Sequence, residues 1–313
     1  MPIKKVLLEA DDHFVRIDHF LCLNLTEHSR SRLEKIFRGG GVSLNGKIIR
    51  KKNHPLKPGD LVGVEWQEQE KEIWSSEHKL VKLYEDEYLL IIDKPAGLAV
   101  HPAAPGSREQ TLVDLLLKDY PNLLASAGDS LRPGIIHRLD RETSGVLLIG
   151  LDERTVVRMQ KKFARRQVEK VYLALVEGRM RFQNGTIDIP IGKKRNSWHK
   201  REAVWDENRN DSRSATTDFS VLLAREQYSL VRLQPTTGRT HQLRVHLAHF
   251  GNPVLGDKLY GKAALFPRLA LHAYEIRFHH PYRDCLVRGK SPLPPSFRSF
   301  IAKGSRPKQV FSP

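Results

Sequence analysis

The sequence predicts an α+β fold, and three observations predict it. From residue 80 onward short apolar runs recur, closed off by Gly, Pro, Asn and Asp. Helical patterns are scattered among them. No strand–helix–strand rhythm of a parallel sheet appears. The expected architecture is a domain over 80–301 with a mixed, largely antiparallel sheet flanked by helices. A small α/β module at 14–66 and a polar, acidic linker at 67–79 precede it, and a basic tail at 302–313 follows it.

In the first module Ile17, Phe20, Leu21 and Leu25 repeat at helical spacing. The stretch TEHSRSRLEKIFRGGG predicts a second helix, with Thr26, Ser29 and Ser31 as candidate caps and Leu33, Ile36 and Phe37 as its apolar stripe. Gly39 to Gly41 end it. Val42 to Ile48 reads as a strand, an Asn-Gly turn and a return strand, because a type I′ turn needs positive φ at both central residues. LKPGDLVGVEW adds a turn and a closing strand. Arg30, Arg32, Lys35 and Arg38 ride on the second helix, beside Lys47, Arg50, Lys51 and Lys52. Such a run, alone, is usually a solvated face. The order helix, SRSRLEKI helix and V-x-L-N-G-K hairpin resembles the small RNA-binding domain named after protein four of the small ribosomal subunit. That resemblance implies RNA contacts for Arg30, Arg32, Lys35 and Lys47.

In the larger domain Leu80–Leu83 and Tyr88–Ile92 read as strands around an Asp86-Glu87 turn, and DKPAGLAVHP (93–102) as a loop. Thr111 caps a helix carrying Leu112, Leu115 and Leu116 on one face. Ile135–Ile136 and Val146–Ile149 read as buried strands around the turn HRLDRETSG (137–145). Residues 154–165 read as a helix with Val157, Met159 and Phe163 inward and Lys161, Lys162 and Arg165 outward. Strands are expected at 168–176, within GTIDIPIG, at 219–223, at 228–233 and in LHAYEIRF. Short helices are expected in THQLRVHLAHF and PPSFRSFI, and 193–213 as an irregular inserted loop.

Composition narrows the function. Of 313 residues 52 are Lys or Arg and 36 are Asp or Glu, a net charge of +16, so polyanions are the expected partners, nucleic acid before membrane. No apolar run reaches the ~20 residues of a membrane-spanning helix, and a secretory signal is not expected. Two cysteines, Cys22 and Cys285, do not make a disulfide framework or a zinc knuckle, which fits a cytoplasmic setting. His241, His246 and His249 have spacings of five and three that zinc sites also use, but no acid or Cys completes the set. No GxGxxG, GxxxxGK[ST] or HExxH is present.

HRLDRETSG puts one acid, Asp140, between Arg138 and Arg141 on a turn next to apolar runs. This is a poor way to build a core and a good way to hold one reactive anion, although turns also use such residues as caps. DKPAGLAVHP, HRLDRETSG, KVYLALVEG (170–178) and TTGRTHQLRVHLAHFGNPVLGD (236–257), in that order, closely resemble the RluA-type RNA pseudouridine synthases. The resemblance implies an isomerisation: the N–C glycosidic bond of a uridine breaks, the uracil turns and a C–C bond forms to the same sugar. It implies no cofactor and no metal. It assigns Asp140 as the catalytic aspartate, Tyr172 as the tyrosine that stacks on the target base, with proton transfer as a further role, and Arg244 as the cation paired with the aspartate. Arg138 is assigned to displacing the base or filling its gap in the helix, and Arg239 and His241 to phosphate contact or to shaping the pocket. Ring attack, anomeric attack and removal of a sugar proton all need an ionised aspartate in one place. The base must leave its stack to be reached.

The expected substrate is structured RNA, with large-subunit ribosomal RNA first and transfer RNA as the alternative. No protein partner is implied and a monomer is expected. An RNA-binding assembly factor with a vestigial site is the competing reading, and the joint presence of Asp140, Tyr172 and Arg244 argues against it. A nucleic-acid hydrolase would want a second carboxylate or metal ligands beside Asp140, where the chain has arginines instead.

Overall fold

The computed structural model describes residues 3–10, 16–25, 33, 36–67, 79–101, 110–125, 132–195, 197–206, 209–262 and 266–304. The chain divides into two compact units, one containing 1–78 and 101–110, the other 79–100 and 111–313.

The first unit is a four-stranded antiparallel sheet in the order β1-β4-β2-β3, formed by β1 (Ile3–Glu9), β2 (Val42–Leu44), β3 (Lys47–Ile48) and β4 (Leu61–Gln67). β1 pairs with β4 along its whole length, Val6 opposite Val64, so the module starts before the boundary at 14 that the sequence suggested. Its alternating IKKVLLE pattern is a weak signal, because Leu7 points outward and is exposed. Helix α1 (Ile17–Asn24) buries Ile17, Phe20 and Leu21 against Val42, Val62 and Val64. Leu33, Ile36 and Phe37 join that core, as their spacing predicts. Asn45 (φ +48) and Gly46 (φ +80) make the expected turn, and Asn45 adds a hydrogen bond from its Nδ2 to Asp60 and one to its Oδ1 from the Leu61 N–H. The cap positions Thr26, Ser29 and Ser31 lie outside the described residues.

The second unit holds a nine-stranded sheet among the described residues. Its strands are β5 (Val81–Glu85), β6 (Leu89–Lys94), β7 (Ser144–Gly150), β8 (Val168–Glu177), β9 (Asn184–Asp188), β12 (Thr216–Ala224), β13 (Tyr228–Pro235), β14 (Leu271–His279) and β15 (Leu286–Lys290). The order is β5-β6-β7-β14-β8-β13-β12-β9, with β15 also on β14. Every pairing is antiparallel except β7 with β14. The helices are α2 (Leu112–Asp119), α3 (Asn122–Ala125), α4 (Glu153–Ala164), α5 (Gln242–His249) and α6 (Pro295–Gly304). This is the α+β architecture the sequence predicts.

β6 and β7 are buried almost throughout, as central strands covered on both faces must be. Leu89, Ile91, Leu148, Met159 and Phe278 form one apolar cluster, and Leu175, Val231, Leu247 and Phe297 belong to another. Each such side chain contributes about 1.5–3 kcal/mol on burial. Thr111 and Asp114 form the capping box of α2, and Asp152 caps α4 through the Thr155 N–H.

Five local expectations are corrected. Residues 193–213 are not simply an irregular insert: β10 (Ile191–Lys194) and β11 (Ser197–Ala203) pair as a hairpin whose polar faces hide its period. Ile135–Ile136 is not a strand; Ile135 makes one isolated bridge to Ile149. β15 went unpredicted because its polar alternation, LVRGK, resembles a loop. Val157 faces outward, while Thr155 and Met159 carry the buried face of α4. α6 runs on to Gly304 rather than stopping at 301, and the rest of the tail is outside the described residues.

Candidate active site

The turn that carries Asp140 leads directly into β7, where that strand lies parallel to β14. The Asp140 carbonyl accepts from the Thr143 N–H at 3.0 Å, which closes the turn. Gly145 then passes so close to β14 that a Cβ there would stand 2.1 Å from the Ala273 carbonyl oxygen, with φ at +111. Only glycine meets both conditions. Ser144 Oγ and His272 Nδ1 lie 2.9 Å apart under the same junction.

From the other side the turn is held by DKPAGLAVHP. The fully buried Lys94 ammonium donates to the carbonyls of Pro95 (2.7 Å), Leu98 (2.9 Å) and Arg141 (3.0 Å). The Gly97 N–H donates to the same Arg141 carbonyl at 2.9 Å. Three acceptors use all three protons of the ammonium, while burial pushes its pKa down to about 7. Lys94→Met is therefore expected to lower the stability of the chain by about 3 kcal/mol, because it strands buried carbonyls. Urea unfolding at pH 6, where the lysine is charged, checks this; an unchanged midpoint contradicts it. His137 is also fixed: its Nε2 accepts from the Leu148 N–H at 3.0 Å and its ring stacks on Phe163. Burial pushes its pKa down to about 3, so it serves as a neutral acceptor.

α5 brings the cation. Gln242 anchors the helix start, its Oε1 accepting from the Arg239 N–H and the Thr237 hydroxyl, its Nε2 donating to the Thr216 carbonyl and the Thr217 hydroxyl. Two residues on, Arg244 is buried. Its Nε and Nη2 both donate to Asp257, each at 2.7 Å, and its Nη1 reaches Asp140 Oδ2 at 3.4 Å. The guanidinium thus forks onto Asp257 and keeps one edge for Asp140. Asp257 has no exposed side-chain surface, and its Oδ1 also accepts from the N–H groups of Leu259 and Tyr260. Burial opposes its charge, but Arg244 and these amides outweigh burial and hold the carboxyl below its ordinary range. Burial likewise opposes the Arg244 charge, and Asp257 and Asp140 outweigh it.

His241 Nε2 lies 3.8 Å from Asp140 Oδ2, and the Tyr260 ring sits 5.1 Å from the Arg244 guanidinium. Tyr172, on β8, is held above its ordinary phenol range by burial and then by the Asp140 charge. Arg244 and His241 thus face the Asp140 carboxylate, whose charge also reaches the Tyr172 phenol.

The other sequence-selected residues fall elsewhere. Arg138 is on the Asp140 turn and exposed. Arg239 is exposed, with Nε donating to the Ser214 carbonyl. Lys47 is exposed on β3 of the first unit. Arg30, Arg32 and Lys35 lie outside the described residues. His246 places Nδ1 3.0 Å from the Thr217 hydroxyl and Nε2 3.0 Å from the Ile189 carbonyl, so both ring nitrogens serve the fold; His249 is exposed. Among the described residues no three His, Cys, Asp or Glu side chains form a metal-holding group. Among them, too, no helix is long and apolar enough to cross a membrane. Asp257, Tyr260 and Lys94 went unassigned in the sequence, although all three lie in or beside the quoted motifs. No local spacing links a carboxylate after α5 to an arginine within it.

A family model described as RNA pseudouridylate synthase matches residues 88–249, and one described as S4 domain matches residues 15–62. The chain is 34% identical over 310 residues to an uncharacterized RNA pseudouridine synthase of Synechocystis, covering 96% of this chain and 94% of that one. It is 34% identical to a protein of Xanthomonas campestris named ribosomal large subunit pseudouridine synthase D, covering 92% and 88%. It is 32% identical to the protein of that name in Pseudomonas aeruginosa, covering 95% and 94%. Among solved structures, human RNA pseudouridylate synthase domain containing 4 superimposes with a TM-score of 0.57 at 27% identity, over 71% of this chain and 92% of that one.

Proposed function

Because the chain belongs to the RNA pseudouridylate synthase family, a family of isomerases, we propose that it converts uridine to pseudouridine in large-subunit ribosomal RNA, with Asp140 as the reacting carboxylate on a flipped-out uridine. One observation carries the reading: Asp140 faces a guanidinium edge that is already fixed by a buried carboxylate, Asp257. A fixed cation offsets the negative charge of the carboxylate where a bound base excludes water, and ring attack, anomeric attack and sugar deprotonation all use that charge. The isomerisation conserves every atom of the nucleotide, so the site has to hold and move charge rather than supply a reagent.

Tyr172 is assigned to stacking on the turned-out base. Its raised pKa keeps the phenol neutral, and a neutral aromatic face suits a base of any sequence context. Arg138, exposed on the same turn, is assigned to the gap the base leaves. The domain boundaries keep their functional sense here: the N-terminal module anchors RNA through Arg30, Arg32, Lys35 and Lys47, and the larger domain does the chemistry. The net charge of +16 and the match to an RNA-binding domain model support the anchor. The names of the Xanthomonas and Pseudomonas relatives support ribosomal RNA as the target. Both cysteines are free, which supports work in the reducing cytoplasm.

Pseudouridine mapping in total RNA from cells with and without this gene tests the proposal. The expected result is loss of one or more large-subunit positions, restored by the wild-type chain. Loss confined to transfer RNA redirects the substrate, and an unchanged map overturns the reading.

A further inference from the structure

His241 has an unusual backbone and an unusual set of neighbours. It stands at the start of α5 with φ +58 and ψ 17, the left-handed region that a side-chain-bearing residue seldom adopts. Backbone strain of this kind persists where the surroundings over-determine it, and it concentrates at functional sites. Here the surroundings are visible. His241 Nδ1 lies 2.8 Å from the Tyr260 hydroxyl, and the two rings meet edge to face at 5.6 Å. The Tyr260 hydroxyl also accepts from the Arg201 N–H, at 2.8 Å, on β11. Tyr260 itself is bolted down by its own N–H, which donates to Asp257 Oδ1 at 3.1 Å. The Lys200 ammonium donates to the Leu259 carbonyl at 2.9 Å, which ties β11 to the same segment.

Proton counting favours one tautomer. A phenol has one proton and here receives the Arg201 N–H as an acceptor. If Nδ1 carried the imidazole proton, the phenol oxygen would take two N–H donors and its own proton would have to turn away from the imidazole. The phenol proton therefore goes to Nδ1, and the imidazole proton sits on Nε2, the nitrogen that faces Asp140. We propose that Tyr260 is a positioning residue that holds His241 as the Nε2–H tautomer, so that a neutral N–H, in addition to the Arg244 guanidinium, is aimed at the reactive carboxylate. Burial lowers the His241 pKa first of all; Asp140 and Asp257 pull it up, while Arg244 and Arg201 oppose them, and the net direction is down. The ring is thus neutral near pH 7, where a tautomer has meaning.

At 3.8 Å the Nε2–Oδ2 distance exceeds a hydrogen bond. Such contacts shorten when a substrate closes the site. A neutral donor suits the place, because Arg244 is already shared between two carboxylates and a second full cation would repel it. The β10–β11 hairpin reaches the phenol through the Arg201 N–H, so its position bears on which way the phenol proton points.

This inference rests on Asp140 being the reacting carboxylate, and its test has an arm that does not. In the full-length protein free of RNA, the side-chain nitrogen resonances of His241 are expected to show the Nε2–H form, and Tyr260→Phe is expected to abolish that preference. In single-turnover conversion of a large-subunit ribosomal RNA transcript, Tyr260→Phe should react about ten-fold more slowly at unchanged RNA affinity, the loss that corresponds to one hydrogen bond. His241→Gln, whose amide N–H stands near the Nε2 position, should outperform His241→Asn, whose amide stands near Nδ1, by about ten-fold. An Nδ1–H form in the wild type, or equal rates for the Gln and Asn variants, overturns the proposal. A wild-type chain inactive on the transcript but showing the Nε2–H form leaves the tautomer standing and removes the substrate assignment instead.

Discussion

Asp140→Asn is expected to abolish pseudouridine formation and to leave RNA binding in place. The substitution keeps the size of the side chain and its turn, since the turn is closed by the Asp140 carbonyl and the Thr143 N–H, not by the carboxylate. What it removes is the anion. An amide is no nucleophile and no base, so a loss of at least ~10³-fold in single-turnover rate is expected, the order seen when an enzyme loses its reacting group. RNA affinity should hold, because phosphate contacts dominate it and Asp140 is an acid. If anything, binding tightens slightly as one negative charge leaves a basic surface. The measurement is a tritium-release or mapping assay beside a filter-binding titration at fixed salt. Product formation at the wild-type rate would sink the assignment of Asp140; a parallel loss of binding would move Asp140 from chemistry to recognition.

The second large effect is expected at Asp257. Asp257→Asn leaves the buried Arg244 guanidinium facing a neutral amide, and breaking one side of a buried ion pair costs about 3–5 kcal/mol. Activity should fall with stability, because the fork onto Asp257 is what leaves the Nη1 edge of Arg244 for Asp140. The pH dependence follows from the direction of the shift. The Asp257 carboxyl has a lower pKa in the folded chain than its ordinary 3.8, so the folded state releases its proton more readily than the unfolded state. Its contribution is therefore complete above the ordinary value and is lost as the pH falls through the folded one. Wild type and Asp257→Asn should differ most at neutral pH and converge in acid. Unfolding midpoints for both proteins between pH 7 and pH 3 check this, and a gap that stays constant across the range would contradict it.

Much of the candidate site was legible in the sequence, and particular residues show why. Asp140 stands out because a charged turn beside VLLIG is costly unless it is used. Thr111 announces its helix cap and Asn45-Gly46 its turn over short stretches of chain, while Asp114 as the second half of the capping box emerged only in the structure. Tyr172 and Arg244 came only through the resemblance: periodicity alone makes the first a sheet aromatic and the second a surface helix residue, yet Arg244 is buried. The hairpin at β10–β11 and strand β15 escaped because both alternate polar residues with few large apolar ones. Val157 was misassigned because a helix of twelve residues with mixed charge leaves its buried face ambiguous by one position.

The sequence by itself determined the α+β class, the position of the Asp140 turn and the basic character of the chain, because periodicity, turn chemistry and charge are written over short stretches. Only the tertiary structure decided which groups share the carboxylate. Arg244 meets Asp140 across 104 positions and is held at shorter range by Asp257, thirteen positions on and past the end of its helix. Lys94 reaches the Arg141 carbonyl across 47 positions, and the Tyr260 hydroxyl meets His241 Nδ1 from nineteen away. Local pattern carries no record of such pairings. They arise when separate strands and one helix pack together, and the buried charges they bring must find partners or lose their charge.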